Sequence, residues 1–233
     1  VIMLLFALKK FFKIYNDYEF YLVGYENEHI QKYILYIIKY LELDNYIKVE
    51  GYQNNVKKYY ELFDFIILPS VSEGTSYNLI ESMIYKKLIV ASDVGGNKEL
   101  LNNNCIYIDY NGIKQFEMDN IYIEDYQQQL NLLGYYNITD YNDFKNNIKI
   151  SIDYDMKHIN NIPSIFIDSD INNISILQKR WENNVYNIFN AILKTLKITD
   201  NIKTNIINNN YKKIINNYNK NKYYENISEI LGI

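Results

Sequence analysis

The chain has 233 residues, 48% of them hydrophobic, and carries a net charge of −4. That length and apolar content suffice for a substantial core and exclude a disordered chain. Lysines and acidic residues are interspersed, so no basic stripe is available to neutralise a phosphate backbone, and nucleic acid is excluded as the expected ligand.

Usage is skewed toward Asn, Ile, Tyr and Lys, with 26 tyrosines, two prolines and Arg180 as the one arginine. Those residues share A- and T-rich codons, so the bias reflects a genome and not a function. Tracts such as Asn208 to Asn210 are therefore expected on solvated surface, and the sequons at Asn137, Asn173 and Asn226 read as chance matches. The single cysteine, Cys105, lies in the apolar run CIYI, as a buried strand residue would, and fits a reducing compartment.

In chain order, Ile2 to Tyr15 has helical spacing, and EFYLV (19–23) is a buried strand ending at Gly24. His29 to Leu41 is an amphipathic helix, and YIKVEG (46–51) a second strand ending at Gly51. Val56 to Phe63 gives a short helix, FIIL (65–68) a strand stopped by Pro69, and Tyr77 to Tyr85 another helix. LIVAS (88–92) and CIYI (105–108) complete the strands. From 109 to 175 the pattern weakens into an insertion or elaborated edge, and helices resume at Ile176 to Leu196 and near Ile206 to Ile230.

Strands alternating with helices at short spacing predict an α/β fold, a Rossmann-like parallel sheet with helices on both faces. The expected organisation is a core at 1–108, the irregular insertion at 109–175 and C-terminal helices at 176–233. The apolar opening VIMLLFALKKFF has its charges after the apolar run and no small-residue cleavage site, unlike a signal peptide. No apolar run is long enough to cross a bilayer. The chain begins inside a helical pattern, without methionine or a preceding strand, so a longer parent protein is expected.

In an open parallel sheet, ligands bind at the carboxyl ends of strands, where helix N-termini aim free N–H groups. After the strand ending at Leu68 comes PSVSEGTSYNLIESM (69–83). Gly74 permits close backbone approach, and the helix starting near Ser76 offers amides suited to a diphosphate. Glu73 precedes that helix, and Glu81 lies eight residues on, in its second turn. Each carboxylate can accept paired sugar hydroxyls and the two would face different parts of one elongated ligand, solvated helix charges being the alternative for a pair at this spacing. Gly95 and Gly96, after LIVAS, permit close approach to a ligand, and Glu99 is a charge at a helix start. His29 and His158 are the only histidines, too few to propose a metal site, so no metal is implied.

The run of strand, PSxxEG, a second glutamate and LIVASDVGGNKELL resembles the E-x7-E block and glycine turn of retaining GT-B glycosyltransferases. YLVG (21–24) and VEGYQNNVKKYYELFDFIILPS (49–70) are similar to the segments preceding that block. The resemblance covers residues 1 to about 108 and implies the C-terminal, nucleotide-sugar-binding half of a GT-B fold. The terminal helices are a weaker match.

Residue by residue, the resemblance implies that Glu73 is catalytic and contacts the transferred hexose. The donor would be held by Gly74, Thr75 and the backbone of Ser76, Tyr77, Asn78 and Leu79, with Glu81 on the ribose and Gly95 and Gly96 close by. The turn at Gly51 and Tyr52 would lie against the base, an ordinary exposed turn aromatic being the alternative for Tyr52. The substrate would be a nucleoside-diphosphate sugar, with no cofactor and no metal. A sugar, lipid-linked or protein acceptor would be bound mainly by an N-terminal domain outside this chain.

The family's basic pair, an arginine and a lysine before the first helix of this half, would lie upstream of Val1, while Lys9 and Lys10 are expected in solvent. The isolated chain is therefore expected to bind donor weakly and transfer nothing. The expected setting is the cytoplasm, at most peripheral to the inner membrane face. A sugar-nucleotide 2-epimerase of GT-B architecture and a non-catalytic nucleotide-sugar-binding module remain alternatives. A dinucleotide oxidoreductase is disfavoured because no G-x-G-x-x-G follows the available strands.

Overall fold

A computed structural model of the chain describes residues 1–24, 28–70, 73–74, 76–110, 142 and 174–217. The expected insertion at 109–175 falls almost wholly outside these residues, as do Thr75, His158, the three sequons and the last part of the C-terminal helices. Two compact units emerge, Val1–Asn54 with Tyr110–Phe189, and Asn55–Asp109 with Asn190–Ile233.

The first unit opens with α1 (Ile2–Phe12), followed by β1 (Phe20–Val23), α2 (Glu28–Tyr40) and β2 (Ile47–Gly51). Helix α1 is apolar nearly all round, and Met3, Leu4, Leu5, Ala7, Leu8, Phe11 and Phe12 are buried on it, as expected of a helix enclosed in a core. Phe11 and Phe12 both meet the Phe20 ring edge-on, and Phe12 stacks on Tyr46 with centroids 4.2 Å apart. Lys9 is not simply solvated, for its Nζ lies 2.8 Å from Glu42 Oε2. Strands β1 and β2 pair in parallel with a shift of register at Leu22/Val23, so that Val23 lies opposite Gly51.

The second unit is built on α3 (Lys57–Leu62), β3 (Phe65–Leu68), α4 (Tyr77–Ile84), β4 (Leu88–Ser92), α5 (Gly96–Leu101) and β5 (Ile106–Ile108). Its three strands form a parallel sheet in the order β3-β4-β5, with β4 central and buried at every position. A continuously apolar strand is what burial on both faces demands. Leu79 and Met83 of α4 pack with Ile89, Ala91, Leu100 and Leu101 into one cluster. The fold is α/β and Rossmann-like, with parallel strands and flanking helices.

Two helices follow, α6 (Ile174–Lys197) and α7 (Asp200–Asn217). On α6, Val185, Ile188, Ala191 and Ile192 are buried at helical spacing. Helix α7 starts earlier than the isoleucine pattern indicates and packs on α4 and β4, with Ile214 in the same cluster as Leu79 and Met83. The Asn-rich tract is not all solvated surface, because Asn210 is 1% exposed and donates to the Asn104 carbonyl at 2.7 Å. Asn209 adds a bond to Asn104 Oδ1, so side-chain amides here tie α7 to the turn before β5.

Candidate functional site

Strands β3 and β4 run parallel with Leu68 opposite Ala91, so their carboxyl ends lie side by side. The segment from Pro69 to Ser76 and the turn before α5 therefore leave the same edge of the sheet. The Gly96 N–H donates to the Glu73 carbonyl at 3.3 Å, joining the two turns directly. Glu73, the start of α4 and the Gly95–Gly96 turn are thus brought together.

Glu73 is half-buried, and its Oε1 accepts from Ser70 Oγ at 2.6 Å. Ser70 is anchored in turn, since Ser92 Oγ at the end of β4 donates to the Ser70 carbonyl. The Ser92 carbonyl accepts from Asn97 Nδ2 at 3.2 Å, and Asn97 is fully buried in α5. A chain of hydrogen bonds thus runs from α5 through the end of β4 to the Glu73 carboxylate. The shorter-range signal, serine two residues after β3, was visible in the sequence; the buried serine and asparagine that support it were not.

Gly74 has an ordinary backbone conformation, and a Cβ built there would meet nothing within 4 Å. The fold itself does not require glycine at that position, which leaves the space before it open. Gly95 differs, with φ 50° and ψ −136°, a conformation that L side chains resist. Gly96 is the first residue of α5, and Glu99 lies in that helix's first turn.

Ser76 is the N-cap of α4, extended at φ −80° and ψ 110°, and its side chain makes no capping bond. Its carbonyl accepts from the amides of Leu79 and Ile80 at 3.2 and 3.3 Å. The Tyr77 and Asn78 amides precede the first intrahelical bond and have no carbonyl of the helix to donate to. Both residues are exposed, whereas Leu79 is wholly buried in the core. The exposed residues of this turn whose amides lack a helical carbonyl are therefore Tyr77 and Asn78, at the positive end of the helix dipole.

Glu81 sits in the second turn of α4, half-buried, and its Oε2 accepts from the Tyr60 hydroxyl at 3.0 Å. Burial, and then the neighbouring Glu81 charge, raise the Tyr60 hydroxyl above the ordinary phenol range. Tyr60 was not singled out from the sequence, where it is one tyrosine among many.

Gly51 and Tyr52 belong to the first unit. Gly51 has φ 62° and accepts from the Gly24 amide at 2.7 Å, and Tyr52 is 56% exposed. Among the described residues, no cluster of three His, Cys, Asp or Glu could hold a metal ion, and no helix is long and apolar enough to cross a membrane.

No curated protein matches the chain. Among solved structures, a glycosyltransferase from Rickettsia africae ESF-5 is similar at 19% identity over 93% of this chain and 44% of that one, with a TM-score of 0.43. Anabaena HepE is similar in its complex with UDP, at 19% identity over 84% of this chain and 44% of its own, TM-score 0.41. Its complex with UDP-glucose gives 18% identity, with the same coverage and TM-score. The chain spans less than half the length of each. The family model for glycosyl transferases group 1 matches residues 1–118, half of the sequence. On that match, the chain belongs to the glycosyl transferases group 1 family.

Proposed function

We propose that this chain forms the donor-binding half of a retaining glycosyltransferase of GT-B architecture, which moves a hexose from a nucleoside diphosphate to an acceptor. The observation that carries the reading is the bond from Gly96 N–H to the Glu73 carbonyl. It gathers a carboxylate, a helix N-terminus and a glycine turn at adjacent strand ends, where open α/β sheets bind their ligands.

In this reading Glu73 contacts the transferred hexose, held in place by Ser70. The Tyr77 and Asn78 amides receive the diphosphate, and the turn of Gly95 and Gly96 allows it close approach. Glu81 accepts the ribose hydroxyls. As the glycosidic bond breaks, charge grows on the departing diphosphate, and amides already aimed at it stabilise that charge without reorganising. No metal is needed for this division of labour. The acceptor, a sugar, lipid-linked or protein group, is bound mainly by an N-terminal domain of the GT-B type, and the product enters polysaccharide or glycoconjugate synthesis.

The test is Glu73→Gln in the full-length protein. Turnover of a nucleotide sugar should fall by about 100-fold or more while affinity for the nucleoside diphosphate changes by less than about threefold. Unchanged turnover would remove Glu73 from the reaction. The anomeric configuration of the first-formed product, read by NMR, checks retention, and an inverted product would contradict it.

A further inference from the structure

Tyr60 lies on α3 and is 7% exposed, with its ring stacked on Tyr85 at 4.9 Å and an interplanar angle of 5°. The stacking brings α3 against the end of α4, and a phenylalanine would keep the ring. The hydroxyl has a separate task. It has one hydrogen to donate, and its two acceptors are Glu81 Oε2 at 3.0 Å and the Asn78 carbonyl at 3.4 Å. The carbonyl is already served by Ser82 Oγ at 2.6 Å, so the carboxylate, nearer and charged, takes the proton.

A glutamate on a helix surface samples many rotamers, and fixing it for a ligand costs entropy at the moment of binding. Here one oxygen is fixed in advance. Among the described residues no donor meets Glu81 Oε1, so that oxygen is left for a ligand's hydroxyl.

We propose that Tyr60 is a positioning residue for nucleoside recognition, its hydroxyl orienting Glu81 so that the free carboxylate oxygen meets the paired hydroxyls of the ribose. This rests on the assignment of Glu81 to the ribose, and the test separates the two. Calorimetric titration compares UDP and GDP with their 2′,3′-dideoxy forms, on wild-type protein, Tyr60→Phe and Glu81→Ala.

Wild-type protein should prefer the ribose form of the nucleotide it binds by about tenfold or more. Glu81→Ala should abolish that preference, and Tyr60→Phe should cut it to about threefold while leaving the melting temperature within about 2 °C of wild type. Full preference in Tyr60→Phe would overturn the positioning role. Failure of Tyr60→Phe to fold normally would also overturn it, because the hydroxyl would then be structural. Full preference in Glu81→Ala, or no binding of either nucleotide by wild-type protein, would instead overturn the assignment of Glu81.

Discussion

Glu73 and Glu81 are each held at one oxygen by a hydroxyl, from Ser70 in the same loop and from Tyr60 on α3. The carboxylates themselves were legible, because their spacing and the glycine beside them form a local pattern. Ser70, three residues from Glu73, was legible with it, but Tyr60, twenty-one residues before Glu81, was not, since hydrogen bonds between residues far apart in the chain leave no periodicity. Two of the site's glycines allow a contrast. Gly95→Ala should cost about 1–3 kcal/mol in urea unfolding, because its positive φ strains any side chain. Gly74→Ala should leave stability within about 0.5 kcal/mol, since its Cβ meets nothing, yet weaken nucleotide-sugar binding if the open space there belongs to the ligand. Cys105 offers a pH test. Burial pushes its thiol from an ordinary 9.0 up to about 12. The folded-state value lies above the unfolded one, so the associated stability is complete below about pH 9 and is lost as pH rises toward about 12. The urea midpoint should therefore fall between about pH 8 and about pH 11, and fall less in Cys105→Ala.

At the level of elements, the short apolar strands were the plainest feature of the sequence. FIIL and LIVAS are short apolar runs bounded by Asp64, Pro69, Lys87 and Asp93, and they became β3 and β4 with matching bounds. The six-residue α5 was indicated only by its first-turn charge, because two glycines at its start conceal a helix that tertiary contacts impose. Helix α7 was misjudged at its beginning for a different reason. Its first residues, Asp200 to Asn205, are mostly polar and carry Ile202 as their one apolar side chain, so the isoleucine pattern does not reach them, and separately a buried, bonded Asn210 looks like its solvated neighbours. The packing of α7 on α4 can be tested directly. Ile214→Ala should destabilise by about 2–4 kcal/mol, because the side chain fills the cluster around Leu79 and Met83. Ile215→Ala, at an exposed position, should stay within about 0.5 kcal/mol of wild type. Since α4 carries Glu81 and the Tyr77 and Asn78 amides, the first substitution should also loosen nucleotide binding.

Across the whole molecule, composition and charge limited the ligand class before any motif was considered. A chain of net charge −4 has no means of following a polyanion, but one helix N-terminus suffices for a diphosphate. Family membership and the arrangement at the ends of β3 and β4 both support the proposed ligand. This edge of the sheet is the proposed nucleoside-diphosphate site. Its most direct test is calorimetric titration of the 233-residue chain with UDP and GDP, in wild-type form and with Glu81→Ala. Saturable binding of at least one nucleotide is expected, weakened by about tenfold or more in the variant. Absence of binding, or equal affinity for wild type and variant, would contradict it.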